Sequence, residues 1–443
     1  DLNRTVLAFG LLLTVATGIL AGLVPALRAS SSDVAARIHS GSRRIGSREE
    51  ERIRGALVVG EIAICLVLLA GAGLMLRTVW SLLRTDLGFD PRNLLTFQLA
   101  LPWTYDDEQK TVFHREVLAR LEALPGVDAA AFDNDLPLAR VGQAERALIQ
   151  EERQSEDERL KNPYVNVHRV SPGYFDAMRI PILDGRALED FDRENGERVA
   201  VVSESLAEWL WPNESALGKR WKRVLEGQES PWLRVVGVAS NVRHDAVDAE
   251  SGYDAYLSSW QFVDGWNHVV LRTTVEPMTL SEDVLRTIWS VDPDQAVFNF
   301  QSMESLAAAT VWQKRVAALL FGAFGILAVA LAASGIYGVV SHRVSARTRE
   351  IGLRMALGAE RREVYREVLG GALRLTLLGI AIGLAAALGL GRFVAHLLHG
   401  VSAFDPATLA GASFFLALTA LAASFAPARR AASVDPVIAL RHE

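Results

Sequence analysis

Residues able to do covalent chemistry are sparse in this chain, and none falls at a spacing that would let it act. A phosphate-binding loop needs a G-x-x-x-x-G-K-[ST] run, whose backbone amides cradle the phosphates and whose hydroxyl holds magnesium. The nearest approach, Gly218-Lys219-Arg220, lacks the leading glycine spacing and the hydroxyl, so ATP hydrolysis by that route is excluded. H-E-x-x-H, C-x-x-C and G-x-S-x-G are absent, and the nine histidines are scattered without ligand spacing. Cys65 is the only cysteine, which excludes an intrachain disulfide. The chain is expected to be no enzyme and to bind no cofactor or metal of its own. One segment does combine charged and apolar side chains usefully: residues 345–359 read S-A-R-T-R-E-I-G-L-R-M-A-L-G-A, bracketed by Arg343, Arg361, Arg362 and Arg366. A helix over 344–358 would project Ile351, Met355 and small neighbours such as Gly352 on one side and Arg347, Glu350 and Arg354 on others, with Gly358 suited to a C-cap. Arg349 and Leu357 complete this set. Such a peg does mechanical chemistry: apolar residues enter a groove on a soluble partner while arginines set the orientation. The competing role for the same arginines is anchoring to anionic lipid, and the two are compatible.

The elements that hold this peg are membrane spans. Half of the 443 residues are apolar although 22% are charged, so the two kinds must be segregated between lipid and water. Five windows reach the roughly 20 apolar residues a spanning helix needs: 6–24, 55–76, 316–340, 368–390 and 407–426. Basic residues beside spans stay on the cytoplasmic side. Residues 28–54 carry seven arginines, 343–366 carry seven, and the tail after Pro427 has Arg429, Arg430 and Arg441. With five spans these agree on one orientation, with 344–358 and the carboxyl terminus inside and the long region after Leu83 outside. Glu61 lies within the second window, and an intramembrane carboxylate is a functional candidate by default. It follows Arg54 by about 10 Å of helix, so the cytoplasmic interface is within its reach. Gly18-x-x-x-Gly22 and Gly379-x-x-x-Gly383 are spaced for close helix approach.

The first span ends Pro25-Ala26-Leu27-Arg28-Ala29, with Ser31 and Asp33 beyond; the last ends Pro427-Ala428-Arg429-Arg430-Ala431, with Ser433 and Asp435 beyond. The same span type thus recurs. Together with a first residue other than Met, and with no basic n-region before the first span, this leads us to expect a fragment of a longer, duplicated protein. The expected division is a last span of a first unit over 1–27, a cytoplasmic linker over 28–54 and a span over 55–82. An extracytoplasmic domain follows over 83–314, and a three-span domain over 315–443.

The extracytoplasmic region reads as α+β. A strand from Leu94 to Leu101 leads to a helix from Asp106 with Phe113, Val117, Leu121 and Leu124 on one face, a Pro125-Gly126 stop and a strand near 127–132. The order recurs as a strand over 268–273, a helix bearing Leu280, Val284, Ile288 and Trp289, an Asp292-Pro293 stop and a strand near 296–300. The two β-α-β units are expected to share one sheet, with a subdomain over about 166–245 inserted between them.

These residues carry a resemblance. T-R-E-I-G-L-R-M-A-L-G-A at 348–359, with its spans, resembles the FtsX-type permease domain of ABC transporters. S-P-G-Y-F at 171–175, A-V-V-S-E-S-L at 200–206, W-P-N-E at 211–214, R-V-V-G-V at 234–238 and L-G-F-D-P-R-N at 87–93 resemble the periplasmic core domain of MacB-like permeases. The whole is most similar to the duplicated, or orphan, permeases of that group. The resemblance implies a membrane α-helical protein with five transmembrane helices plus an extracytoplasmic α+β domain of MacB type, set in a bacterial inner membrane. It also implies that 344–358 is a coupling helix for a separate ABC ATPase, which would use the ATP and magnesium. The implied function is efflux or extraction of a hydrophobic, lipoprotein or peptide substrate. Alternatives are mechanotransmission to envelope enzymes and a non-transporting receptor or scaffold. The expected partners are the ATPase, membrane lipid and a periplasmic adaptor or envelope protein, with no nucleic acid.

Overall fold

The computed structural model describes residues 45–139, 145–224, 230–247, 249, 251–394, 402 and 404–433, with isolated positions between 8 and 19. Most of the expected first span, the repeat at 25–33 and the loop holding His396 and His399 lie outside these residues. A long helix α1 (Ile45–Leu82) leads into β1 (Leu94–Ala100), α2 (Asp107–Glu122), β2 (Val127–Asp133) and β3 (Glu145–Glu151). Next come α3 (Glu156–Arg159), β4 (Tyr164–Val170), α4 (Tyr174–Met178), β5 (Ile182–Gly185), β6 (Val199–Ser203) and α5 (Glu204–Leu210). β7 (Arg220–Val224), β8 (Leu233–Ala239), β9 (Asp254–Ser258), β10 (Trp266–Thr273), α6 (Ser281–Val291), β11 (Ala296–Ser302) and α7 (Met303–Thr310) complete the domain. The chain then returns through α8 (Trp312–Ala346), α9 (Thr348–Ala356), α10 (Arg361–Val394) and α11 (Pro406–Ala432).

Among the described residues four helices are long and apolar enough to cross a membrane: Arg52–Leu82, Trp312–Ala346, Arg361–Gly391 and Pro406–Ala432. They cover four of the five expected spans. α1 starts ten residues ahead of the apolar window, inside the expected linker, because Arg48 to Arg54 is rich in Glu and Arg, which favour helix.

The chain packs as two compact units, one holding described residues up to Cys65 with Ala328–Gly383 and from Phe415 onward, the other Leu66–Leu327 with Leu384–Phe414. In the first, Gly379 of α10 lies so close to α1 that an added Cβ would stand 2.7 Å from Ile62 Cβ, which gives the small-residue spacing its packing role.

In the second unit the two β-α-β segments do interleave. β11, β1, β10 and β2 run side by side, all antiparallel, with β1 between β11 and β10. Strand alternation sends Leu95, Phe97 and Leu99 of β1 to one face, where Phe113, Val117 and Leu121 of α2 and Val284 and Ile288 of α6 cover them. α2 begins at a capping box in which Asp106 accepts from the Gln109 amide at 2.8 Å and Gln109 Oε1 accepts from the Asp106 amide at 3.0 Å. Tyr174, Phe175 and Met178 of α4 and Met303 of α7 cover the opposite face.

The inserted part is wider than 166–245. β4, β3, β7, β8, β6 and β9 pair in succession, and β9 returns to β4 as a parallel neighbour, closing a ring from Glu145 to Ser258. Its interior holds Ile149, Val167, Trp221, Val235 and Leu257. β2 and β4 join the ring to the four-stranded sheet through the single pair Asp133↔Val170.

His114 of α2 is buried in the core, its ring 4.5 Å from Phe132 and its Nε2 3.2 Å from Asn267 Nδ2. Burial pushes its pKa from 6.5 down to about 4. The unfolded chain therefore takes up this proton first, and stability that is complete above pH 6.5 is lost as pH falls toward 4. Between pH 7 and 5 that loss is about 2 kcal/mol. His114→Gln, which keeps an acceptor toward Asn267, is expected to shrink the fall in Tm between those two pH values. Equal falls in parent and variant would refute this.

Candidate functional site

The helix expected over 344–358 is two helices. α8 stops at Ala346, Arg347 takes φ −110° and ψ 11°, and α9 starts at Thr348. Thr348 Oγ1 donates back to the carbonyls of Val344 at 2.9 Å and Ser345 at 3.1 Å, a local competition with the helix ladder that favours a break. At the far end Gly358 has φ +99°, its amide donates to Met355 O at 3.1 Å, and the Ala359 amide donates to Arg354 O at 3.0 Å. These are the two bonds of a Schellman cap, and the left-handed backbone is the reason glycine stands there.

Arg354 organises the charges. It donates to Glu350 Oε1 at 2.5 Å, one turn back along α9, and to Glu367 Oε2 of α10 at 2.9 Å. Arg347 stands 3.7 Å from the other oxygen of Glu367. All four side chains are about half exposed, so each pair contributes ~0–1 kcal/mol, and what the shared arginine supplies is a fixed attachment of α9 to α10. Arg349 belongs to the same short helix.

The apolar residues divide differently from the expected peg. Gly352 is buried, Ile351 and Met355 are half-buried, and Ile351 helps line a cavity of about 300 Å3 with Val340, Val344, Val364, Val368 and Arg343. Leu353 and Leu357, one turn apart, are 49% and 82% exposed. α9 therefore packs inward through Ile351 and Met355 and shows a leucine pair outward. Leu357 was among the residues expected to matter; Leu353 was not. The i, i+4 spacing is visible in the sequence, but which stripe faces inward depends on what α9 packs against, α8 and α10 lining the same cavity as Ile351. Glu367 escaped notice because its partners lie across a loop, beyond helical spacing.

Glu61 is half-buried within α1. Its Oε2 lies where a Cβ on Gly335 of α8 would stand, 2.5 Å away, so it faces a neighbouring helix and is separate from the α9 cluster. Arg430, in the repeated span exit, donates to Tyr337 Oη at 2.5 Å and Ser341 Oγ at 3.2 Å, tying α11 to α8.

Comparison with known proteins gives two family matches. The MacB-like periplasmic core domain matches residues 56–303, more than half of the chain, and the FtsX-like permease C-terminal domain matches 322–436. The chain is 24% identical over 294 residues to the uncharacterized ABC transporter permease YvrN of Bacillus subtilis, covering 63% of this chain and 71% of that one. It is 28% identical over 288 residues to the macrolide export ATP-binding/permease protein MacB of Bradyrhizobium diazoefficiens, covering 63% and 43%. The periplasmic region of MacB from Actinobacillus actinomycetemcomitans aligns over 52% of this chain and 97% of that one with 14% identity and a TM-score of 0.35.

Proposed function

This chain belongs to the family of the MacB-like periplasmic core domain and is an ABC transporter permease of the MacB/FtsX type; from that premise we propose that it converts ATP hydrolysis on a separate ABC ATPase into motion of its extracytoplasmic domain. The work done is efflux or extraction of a hydrophobic, lipoprotein or peptide substrate at the outer face of a bacterial inner membrane. The chain spans about two fifths of the MacB relative, whose name includes both an ATP-binding and a permease part, and its 443 residues hold no phosphate-binding loop, so the nucleotide chemistry is assigned to an ABC ATPase outside them.

The observation that carries this reading is α9. It is a short helix fixed at its carboxyl end by a Schellman cap and to α10 by Arg354, and it presents Leu353 and Leu357 to whatever lies outside. Apolar side chains on a rigid, charged peg suit a protein groove, and arginines at its flanks give the partner an orientation. A lipid anchor alone would be served by the arginines and would not need the helix to be capped and braced.

The test is affinity purification of the tagged chain from membranes, followed by reconstitution with whatever ATPase accompanies it. The expected result is an ABC ATPase held by the chain, with its hydrolysis raised by that association. Recovery of the folded chain with no ATPase, under crosslinking as well as without it, would favour a receptor or scaffold instead.

A further inference from the structure

In the sequence the histidines lack metal-ligand spacing, but the fold stacks two of them. His168 of β4 and His244, in the loop after β8, have ring centroids 4.1 Å apart, and both side chains are buried. Both rings present Nε2 to the same wall: His168 Nε2 is 3.3 Å from Asp254 Oδ1, while His244 Nε2 is 3.8 Å from that oxygen and 3.3 Å from Tyr256 Oη. Nδ1 of each ring, and Oδ2 of Asp254, are buried without a hydrogen-bond partner among the described residues. A buried polar atom left unpaired costs about 1–3 kcal/mol, so a stacked pair of imidazoles with both Nδ1 atoms idle is an expensive arrangement unless something occupies them. Asp135, in the loop after β2, completes the group: one donor atom each from Asp135, His168 and His244 lies within 4.8 Å of the others.

We propose that Asp135, His168 and His244 bind a divalent transition-metal ion of the zinc class. Two imidazoles and one carboxylate are a borderline-soft ligand set that suits zinc and leaves a fourth position for water. The histidines would ligate through Nδ1, because Nε2 of each already faces a carboxylate or phenol, the outer partner that fixes the ring and raises its basicity in metal sites. Donors around tetrahedral zinc lie about 3.3 Å apart, and one donor atom of each of the three residues already lies within 4.8 Å of the others, so small side-chain rotations separate this arrangement from a closed site. The three residues come from three places in the chain, beside the Asp133↔Val170 pair, the one ladder pair between β2 of the four-stranded sheet and β4 of the ring. A bound ion would staple that seam. This site stands apart from the coupling reading and does not depend on it.

The test uses the full chain in detergent, stripped with a chelator and titrated with Zn2+, with Mg2+ as the control. The expected result is one equivalent of zinc per chain, a rise in Tm that magnesium does not reproduce, and visible d–d absorption of a tetrahedral site when Co2+ replaces zinc. Asp135→Asn and His244→Gln are each expected to weaken zinc binding at least tenfold. The parent chain taking up no zinc, or binding in both variants as tight as in the parent, overturns the proposal. Should a variant fail to fold, the parent titration and the Co2+ spectrum still decide the matter.

Discussion

Changing Leu353 and Leu357 together to Asp is expected to leave the chain folded in the membrane and to cut its association with the ATPase, and the hydrolysis that depends on it, at least tenfold. Both side chains are exposed in the free chain, at 49% and 82%, so their replacement costs the fold little, within about 0.5 kcal/mol each. Once docked they would be buried, and full burial of a leucine is worth about 1.5–3 kcal/mol. Losing two such contacts, and placing carboxylates where apolar surface was complementary, gives more than the ~1.4 kcal/mol that one factor of ten requires. Ile351→Asp is a different experiment, because Ile351 lines the cavity beneath α9 and its loss would disturb the seat of that helix. The measurement is ATPase activity and co-purification for the double variant, with thermal unfolding as the control. Unchanged association with unchanged stability would remove the leucine pair from any interface and leave the arginines as lipid anchors.

The parts legible in the sequence were those with a local period. Phe113, Val117 and Leu121 at helical spacing, with stops at Pro125-Gly126 and Asp292-Pro293, located α2 and α6 and the strands beside them. Apolar length located the four spans found among the described residues. What was not legible depends on contacts across long separations. The ring closes because β9 returns to β4 in parallel, and nothing local in 164–170 or 254–258 specifies that partner. The stacking of His168 on His244 is a consequence of the same closure, so two residues without motif spacing become neighbours only after folding. The segment 344–358 shows both cases. Gly358 could be read as a cap because its role is local, whereas the side of α9 that is buried depends on what the helix packs against.

Arg272→Met is expected to loosen the hold of the sheet on the loop that follows α1 by about 3 kcal/mol. Arg272 lies on β10 and is 2% exposed. Its Nε donates to Ala177 O at 2.8 Å, its Nη2 to Asp90 O at 2.8 Å, and its Nη1 to Arg92 O. One planar guanidinium thus ties the central sheet to α4 and to residues 87–93, the loop that follows α1. Asp90 braces that loop separately: its carboxylate accepts from Arg92 at 3.0 Å and from Arg179 at 2.9 Å, and these bonds hold its pKa down to about 2. Methionine fills much of the same space but donates nothing, leaving three carbonyls unpaired at about 1–3 kcal/mol each. Relief of the buried charge offsets part of this, which is why the lower end of the sum is the expectation. Arg272→Lys should fall between the two, since a point charge cannot reach three carbonyls set in three directions. The readout is amide exchange in the full chain. Protection over residues 87–93 should drop by about two orders of magnitude, the equivalent of ~3 kcal/mol, while α2, packed on the opposite face of the sheet, keeps its own. Exchange that is unchanged over 87–93, or that rises equally throughout the domain, would mean that Arg272 is one more core side chain and that the loop is held by the Asp90 pairs alone.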